Sequence, residues 1–190
     1  MTPQISALAG RGMSHAVKLT TWVGKGKPVT AKGVLRPSVL PAAAAALGVE
    51  VPAKVRTAAD ITPVHWPWLA AEAAGLIEVR AAKAVACQVD GDPAQLWLTG
   101  LDAVLRAESH DAARRGAFTL CRAVLTARIE DRPVEHVLAG YEDGDTAALS
   151  FRQAGDLPLE DAVALLTSFG ALDARGEPTA LGEWARERFE

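Results

Sequence analysis

Residues 62–87, TPVHWPWLAAEAAGLIEVRAAKAVAC, carry the clearest pattern of secondary structure in this sequence. Thr62 or Pro63 can open a helix. Gly75 can end it, because helices commonly end at a glycine in the left-handed conformation. Two short runs of strand character follow, at residues 76–79 and 84–87. The few residues between these runs allow only a tight turn. The stretch therefore predicts a helix followed directly by a two-stranded hairpin.

A short helix upstream completes a helix-turn-helix pattern. Ser38 can cap a helix that ends at Leu47, where Gly48 again supplies a left-handed stop. The order helix, turn, helix, glycine and hairpin is that of a winged-helix domain, in which the second helix is the recognition helix and the hairpin is the wing. We predict such a unit over residues 21–90, after a flexible N-terminus at residues 1–20.

The middle of the chain has a helical pattern. Asp92 and Pro93 are suitable residues for a helix start, and a second helix is predicted from Asp111 to Arg128. Shorter helices are predicted at residues 133–139 and 146–154. Together, the predicted helices within residues 91–140 form a central helical region.

The C-terminal part repeats the order helix, glycine and short hairpin. A helix over residues 159–169 is followed by Gly170, and after the hairpin Thr179 can cap a last helix. This order parallels the stretch around Gly75 at a separation of about 95 residues. The predicted fold class is mainly α with small β-wings. Two winged-helix-like units, of which the second and smaller one covers residues 141–190, are joined by the central helices.

The charge is unevenly distributed along the chain. The net charge is −3, but residues 1–58 hold eight cations and one acid, which gives +7. Residues 59–190 hold 12 cations and 22 acids, which gives −10. Such an asymmetry is typical of a protein with a segment that faces a polyanion. The alternative is that the basic segment docks on the protein's own acidic half or is a solvated tail.

Two segments carry a resemblance to a known family. They are residues 22–35, WVGKGKPVTAKGVL, and residues 165–184, which end in TALGEW. Here the chain resembles actinobacterial proteins with winged-helix (helix-turn-helix) domains and no assigned activity, over about a third of its length. The resemblance implies a winged-helix fold and a DNA-binding or regulatory role. Pro178 departs from the apolar residue that usually precedes the threonine in such a segment.

Eight cations are the candidate nucleic-acid-binding residues: Lys25, Lys27, Lys32, Arg36, Lys54, Arg56, Arg80 and Lys83. A turn rich in glycine and lysine can present ammonium groups and backbone amides to phosphate, although a solvated turn fits the same residues. The predicted recognition helix, residues 64–74, carries no Lys or Arg, which argues against reading of base edges. Trp66 and Trp68 in this helix either anchor it in a core or, if exposed, stack on bases.

No motif in the sequence indicates catalysis, a metal site or a cofactor. The four histidines lack metal-ligand spacing, and neither GxSxG nor GxxxxGK[ST] occurs. Cys87 and Cys121 have no CxxC partner, which suits free thiols in a reducing cytoplasm. No run approaches the roughly 20 apolar residues of a membrane helix, and the N-terminus lacks a signal-peptide core. We therefore expect a cytoplasmic protein that is not an enzyme and does not contact a membrane.

These observations favour a DNA-binding regulatory protein that contacts the phosphates of duplex DNA through its basic N-terminal segment. The alternative is a protein–protein interaction or scaffold module built from winged-helix-like domains, without DNA binding. The acidic recognition helices favour this alternative. Apolar side chains of the central helices also suit a homodimer formed through them.

Overall fold

The computed structural model describes residues 2–52, 54–108, 114–142 and 158–189. Its helices are α1 (Pro3–Gly12), α2 (Ser14–Val23), α3 (Leu40–Leu47), α4 (Thr62–Ala73), α5 (Pro93–Glu108), α6 (Arg114–Ile129), α7 (Val134–Glu142), α8 (Leu159–Ser168) and α9 (Ala180–Arg186). Its strands are β1 (Lys27–Pro28), β2 (Ile77–Arg80) and β3 (Lys83–Ala86), which form one antiparallel sheet. The protein is therefore mainly helical with a small sheet, as the sequence predicts at this coarser level.

The chain divides into two compact units, which differ from the segments drawn on the sequence. Residues 13–104 form one unit, here called the middle unit. Residues 1–12 and 105–190 form the other, here called the terminal unit because it contains both chain ends. The predicted central helices are thus divided between the two units, since the boundary falls within α5.

The N-terminal residues are helical, where the sequence analysis expected a flexible segment. Ile5 and Ala9 of α1 are buried, and Leu19 and Val23 of α2 are almost completely buried. α2 packs against α3, α4 and β3 and so forms part of the core of the middle unit. The prediction failed because small residues blur the apolar periodicity here, whereas burial by other elements stabilises the helices.

The hairpin of the middle unit matches the prediction closely. β2 and β3 pair with Arg80 opposite Lys83, and Ala81 and Ala82 form the two-residue loop. Both alanines have positive φ, 45° and 61°, which a loop of this length favours for its backbone twist. β1 adds a third strand on the other side of β3, so the strand order is β1-β3-β2.

The two helices before the hairpin also form, with changes at their starts. A single 3₁₀ turn over Pro37–Val39 precedes α3, and Ser38 makes no capping hydrogen bond to this helix. Gly48 ends α3 in the left-handed conformation, with φ 71°. α4 begins at Thr62 and continues through Pro67, which lies inside the helix and removes one backbone hydrogen bond from it.

The terminal unit contains the predicted C-terminal pattern. α6 packs against α7, α8 and α9, and α1 packs against α9. Gly170, with φ 73°, follows α8, and Leu172 then pairs with Pro178 in an isolated bridge. The Thr179 hydroxyl accepts a hydrogen bond from the Gly182 amide at 3.2 Å and caps α9.

Some predictions for this unit need correction or lie outside the described residues. α7 runs through Gly140 to Glu142, where the sequence analysis ended the helix at the glycine. The helix predicted at residues 146–154 lies outside the described residues, as do residues 111–113 at the predicted start of the second central helix.

A tight turn occurs twice, once in each unit, at residues 29–35 and 172–178. The first and last residues of each segment form a bridge. In the first, the Thr30 amide donates to the Val34 carbonyl, and in the second the Asp173 amide donates to the Glu177 carbonyl, both at 2.8 Å. Gly33 and Gly176 have φ of 78° and 79°. The sequences of the two turns, TAKG at residues 30–33 and DARG at residues 173–176, resemble each other more than the stretches around Gly75 and Gly170 do.

Candidate nucleic-acid interface

The ladder between β1 and β3 positions three of the eight predicted cations. Lys27 lies opposite Ala84 and Pro28 lies opposite Lys83. Hydrogen bonds extend the pairing at both ends, because the Ala86 amide donates to the Gly24 carbonyl at 3.0 Å and the Val29 amide donates to the Ala82 carbonyl at 2.9 Å. Residues 24–29, which include Lys25, therefore run along β3.

Two of these lysines have side chains held by local contacts. The Lys27 ammonium lies 5.0 Å from the centre of the Trp22 ring, in a cation–π contact. The Lys83 side chain crosses Gly26, so closely that a Cβ atom on Gly26 would overlap it. Gly26 also has φ 144°, a backbone conformation that favours glycine. Both this conformation and the close approach of the Lys83 side chain therefore require glycine at position 26.

Among the described residues of their own unit, most of the eight cations form no ion pair with an acidic side chain. Arg80 is the exception, since its guanidinium pairs with the Glu78 carboxylate, and its Nε donates at 2.6 Å. Arg36 Nε donates to the Val29 carbonyl at 2.9 Å. Among the described residues of the middle unit, no ion pair is formed by the other predicted site residues, Lys25, Lys27, Lys32, Lys54, Arg56 and Lys83.

The division into units changes the meaning of the charge asymmetry. The middle unit holds nine cations and seven acids, a net charge of +2, and the terminal unit holds 11 cations and 16 acids, a net charge of −5. Residues 13–58, the part of the basic segment that lies in the middle unit, hold seven cations and one acid, and they share this unit with six acids from the acidic part of the sequence. Within the described part of this unit, the lysines of residues 13–58 form no ion pairs with these acids.

The exposed side of α4 carries no cation. Its exposed residues are Thr62, Pro63, Glu72 and Ala73. Trp66 and Trp68 are 6% and 1% exposed, which confirms the prediction that they anchor this helix in the core. The missing Lys and Arg noted from the sequence are therefore also missing from the helix surface.

Glu72 lies beside the turn that carries Lys32. A Cβ atom on Gly33 would be 3.5 Å from Glu72 Oε1. Partial burial of the carboxyl raises the pKa of Glu72. The end of α4 thus presents a carboxylate to the same turn from which a predicted phosphate-binding lysine extends.

Lys54 and Arg56 lie on the connection between α3 and α4, and neither residue takes part in the pairing of β1 with β3. Asp60 organises the end of this connection, because its Oδ2 accepts from the Arg56 amide at 2.6 Å and from the Thr57 amide at 3.0 Å. These backbone hydrogen bonds hold the pKa of Asp60 below its ordinary value. The two cations are exposed, and the structure does not bring them onto the ladder with the lysines.

Sequence reasoning missed Arg175, which occupies the position in the second turn that Lys32 occupies in the first. The signal was the similarity of TAKG at residues 30–33 to DARG at residues 173–176. In the second turn the Asp173 carboxylate accepts from the Arg175 amide at 2.8 Å and from the Glu177 amide at 3.0 Å. The two turns have the same backbone hydrogen bonds, but only the first has no Asp or Glu among its own residues.

The described part of the chain contains no group of three or more His, Cys, Asp or Glu residues that could hold a metal ion. Cys121 is buried, and burial raises the pKa of its thiol to about 12. The Cys87 thiol is partly exposed and donates to Glu78 Oε2 at 3.8 Å. Burial and the nearby Lys18 ammonium lower the pKa of His15.

None of the helices described is both long enough and apolar enough to cross a membrane. Comparison of the chain with protein-family models, with curated proteins and with solved structures found no match. The resemblance to actinobacterial winged-helix proteins therefore stays a prediction.

Proposed function

We propose that the middle unit is a winged-helix domain that binds duplex DNA, as part of a regulatory protein. The order α2, β1, α3, α4, β2, β3 with strands arranged β1-β3-β2 supports a winged-helix fold. In this interpretation α3 and α4 form the helix-turn-helix, and the β2–β3 hairpin is the wing.

One observation carries the proposed DNA binding: the β1–β3 ladder joins a lysine-rich segment to the wing, and these lysines lack ion pairs within the unit. A cation that is not neutralised by the protein can replace the counterions of a phosphate, and the release of those counterions favours binding. Of the eight predicted cations, we propose Lys25, Lys27, Lys32, Arg36 and Lys83 as the phosphate contacts. Lys54 and Arg56 lie off the ladder on the connection between α3 and α4, and the Arg80 guanidinium is paired with Glu78.

Fluorescence polarisation with a labelled duplex, repeated over a series of salt concentrations, tests this function. Each phosphate contact contributes about 0.9 to the slope of log K against log salt. Replacement of Lys25, Lys27 and Lys32 by glutamine should weaken binding similarly for duplexes of different sequence. Lys18→Gln on α2 is the matched control, because Lys18 is exposed in the same unit but outside the proposed site. Absence of binding by the intact protein at low salt would refute the proposal.

The exposed side of α4 favours a second candidate, a protein–protein interaction or scaffold module. This side offers no cation to DNA and contains small and apolar residues beside Glu72. Arginine at Thr62 and Ala73 should disrupt an interface there, and light scattering would detect the loss of an assembly. A wild-type protein that is strictly monomeric and recovers no protein in a pull-down would contradict this candidate.

A homodimer through the central helices stays a prediction. In these helices the apolar residues Leu101, Val104, Leu120, Val124 and Leu125 are buried within the single chain. A dimer would therefore have to use other residues of α5 and α6.

A further inference from the structure

We infer that duplex DNA is held along the β1 edge of the sheet through its phosphates alone, with the exposed side of α4 outside the major groove. This inference rests on the proposed DNA binding and specifies how that binding occurs. It departs from the usual arrangement in helix-turn-helix proteins, in which the second helix enters the major groove.

The first reason is the chemistry of the α4 surface. Base edges in the major groove are read by Arg, Lys, Asn or Gln, and phosphates beside the groove repel carboxylates. The exposed positions of α4 supply a hydroxyl at Thr62 and a carboxylate at Glu72, but none of the reading residues. Insertion of this helix would bring Glu72 towards the phosphates without a compensating contact.

The second reason is the position of the lysines around β1. This strand lies at the edge of the sheet, with β3 on its one paired side. Residues directly opposite in a ladder share a face, so Lys27 shares a face with Ala84, and Lys83 shares the other face with Pro28. The edge is therefore flanked by a lysine on each face of the sheet.

Lys25 extends the same row of charge. It lies two residues before Lys27, in the turn that leads into β1, where the Gly26 amide donates to the Val23 carbonyl at 3.0 Å. A phosphate backbone that follows this edge meets Lys25 and Lys27 in succession and Lys83 from the neighbouring strand.

The third reason is that two of these side chains are already restrained. Lys27 lies over the Trp22 ring, and Lys83 crosses Gly26. Binding therefore costs less side-chain conformational entropy at these lysines than at unrestrained surface lysines. This lower cost favours binding at this surface over binding at other exposed cations.

The duplicated turn provides a comparison within the same chain. The turn at residues 29–35 has Thr30 and Val34 where the turn at residues 172–178 has Asp173 and Glu177. The backbone hydrogen bonds are equivalent, so the geometry serves the fold in both units. The turn that continues from β1 has no carboxylate among its own residues, which reduces the repulsion of phosphates relative to the second turn, although Glu72 lies beside it.

The experiment compares two triple variants of the full chain that remove the same charge from the same unit. The edge variant is K25Q/K27Q/K83Q, and the control variant is K18Q/K54Q/R56Q. The salt dependence of binding is measured by fluorescence polarisation on two duplexes of unrelated sequence. The wild type should bind both duplexes within about twofold, because phosphates carry no base sequence.

The edge variant should lose about 2.7 from the log–log salt slope, which is 0.9 for each of three contacts. The control variant should lose less than about 0.9, the value for a single contact. Glu72→Gln should leave affinity within about twofold, because its carboxylate lies outside the contact. Far-UV circular dichroism checks the fold, and K25Q and K83Q alone, each with an expected loss of about 0.9, replace the triple variant if that variant unfolds.

The outcomes separate this inference from the function on which it rests. Loss of slope in the control variant instead of the edge variant would overturn the inference and leave DNA binding intact. A wild type that prefers one duplex more than about tenfold, with affinity raised by Glu72→Gln, would also overturn it, because α4 would then be reading the groove. A wild type that binds neither duplex at low salt would refute both.

Discussion

Replacement of Gly182 by alanine tests the closest packing contact in the terminal unit. A Cβ atom at this position would overlap the Ala171 carbonyl oxygen and lie 3.1 Å from Leu125 Cδ2. The Ala171 oxygen is also the acceptor for the Thr179 amide at 3.0 Å and the Thr179 hydroxyl at 3.2 Å. The backbone therefore cannot yield to the new methyl group without weakening the hydrogen bonds that join the turn to α9.

The magnitude follows from these two effects. Overpacking of a close contact costs about 1–3 kcal/mol. Weakening of one of the hydrogen bonds to Ala171 adds about 1 kcal/mol. We expect Gly182→Ala to lower the free energy of unfolding of the terminal unit by about 2–4 kcal/mol in all.

Urea denaturation followed by far-UV circular dichroism measures the change. Hydrogen exchange of peptides from residues 159–189 then locates it in the terminal unit. Gly140→Ala is the matched control, because Gly140 lies in α7 with no atom within 4 Å of an added Cβ. The control should be stabilised by up to about 1 kcal/mol through helix propensity. If the Gly182→Ala protein unfolds with a free energy within about 0.5 kcal/mol of wild type, the range of an ordinary surface substitution, the close contact with Ala171 does not limit this position.

Three further predictions concern the hairpin, the thiols and the response to acid. Replacement of Ala81 and Ala82 by Asn-Gly should raise the thermal midpoint, since each left-handed alanine costs about 1–2 kcal/mol; an unchanged or lower midpoint would contradict the turn assigned here. An alkylating reagent should modify Cys87 in the native protein and Cys121 only after unfolding, as counted by mass spectrometry; native labelling of Cys121 would be incompatible with its burial. The hydrogen bonds that lower the pKa of Asp60 should stabilise the fold above the ordinary aspartate pKa, and this contribution should be lost as pH falls through the lowered value. The stability difference between wild type and Asp60→Asn, measured by denaturation over a pH series, should therefore shrink in acid; a constant difference would contradict the assignment.

Local chemistry explains which elements the sequence predicted well. Gly48, Gly75 and Gly170 all adopt positive φ at or just after helix ends, as expected of glycine at such positions. Thr179 caps its helix for the same kind of local reason. Only four residues separate the ends of the two predicted strands, so the chain had to form a tight hairpin there. Each of these features depends on a few neighbouring residues.

Long-range packing explains the failures. The helices α1 and α2 were missed because Ala9 and Ala16 become core residues only where other elements cover them. Gly140 did not end α7, because a glycine within a helix costs only about 1 kcal/mol and neighbouring contacts can compensate for it. The division into units could not be seen in composition, because α1 joins the terminal unit from the opposite end of the sequence.

The candidate interface likewise combines features set by local sequence with features set by long-range packing. The eight cations, their excess over acids in the N-terminal segment, and the lack of Lys and Arg on α4 can all be read from the amino-acid order. Which of the cations lie together depends on the folded chain, since the pairing of β1 with β3 joins Lys27 to a strand more than 50 residues away. Covalent order and residue type set charge and local turns, whereas strand pairing is a contact between distant segments whose closure depends on the burial of the whole core.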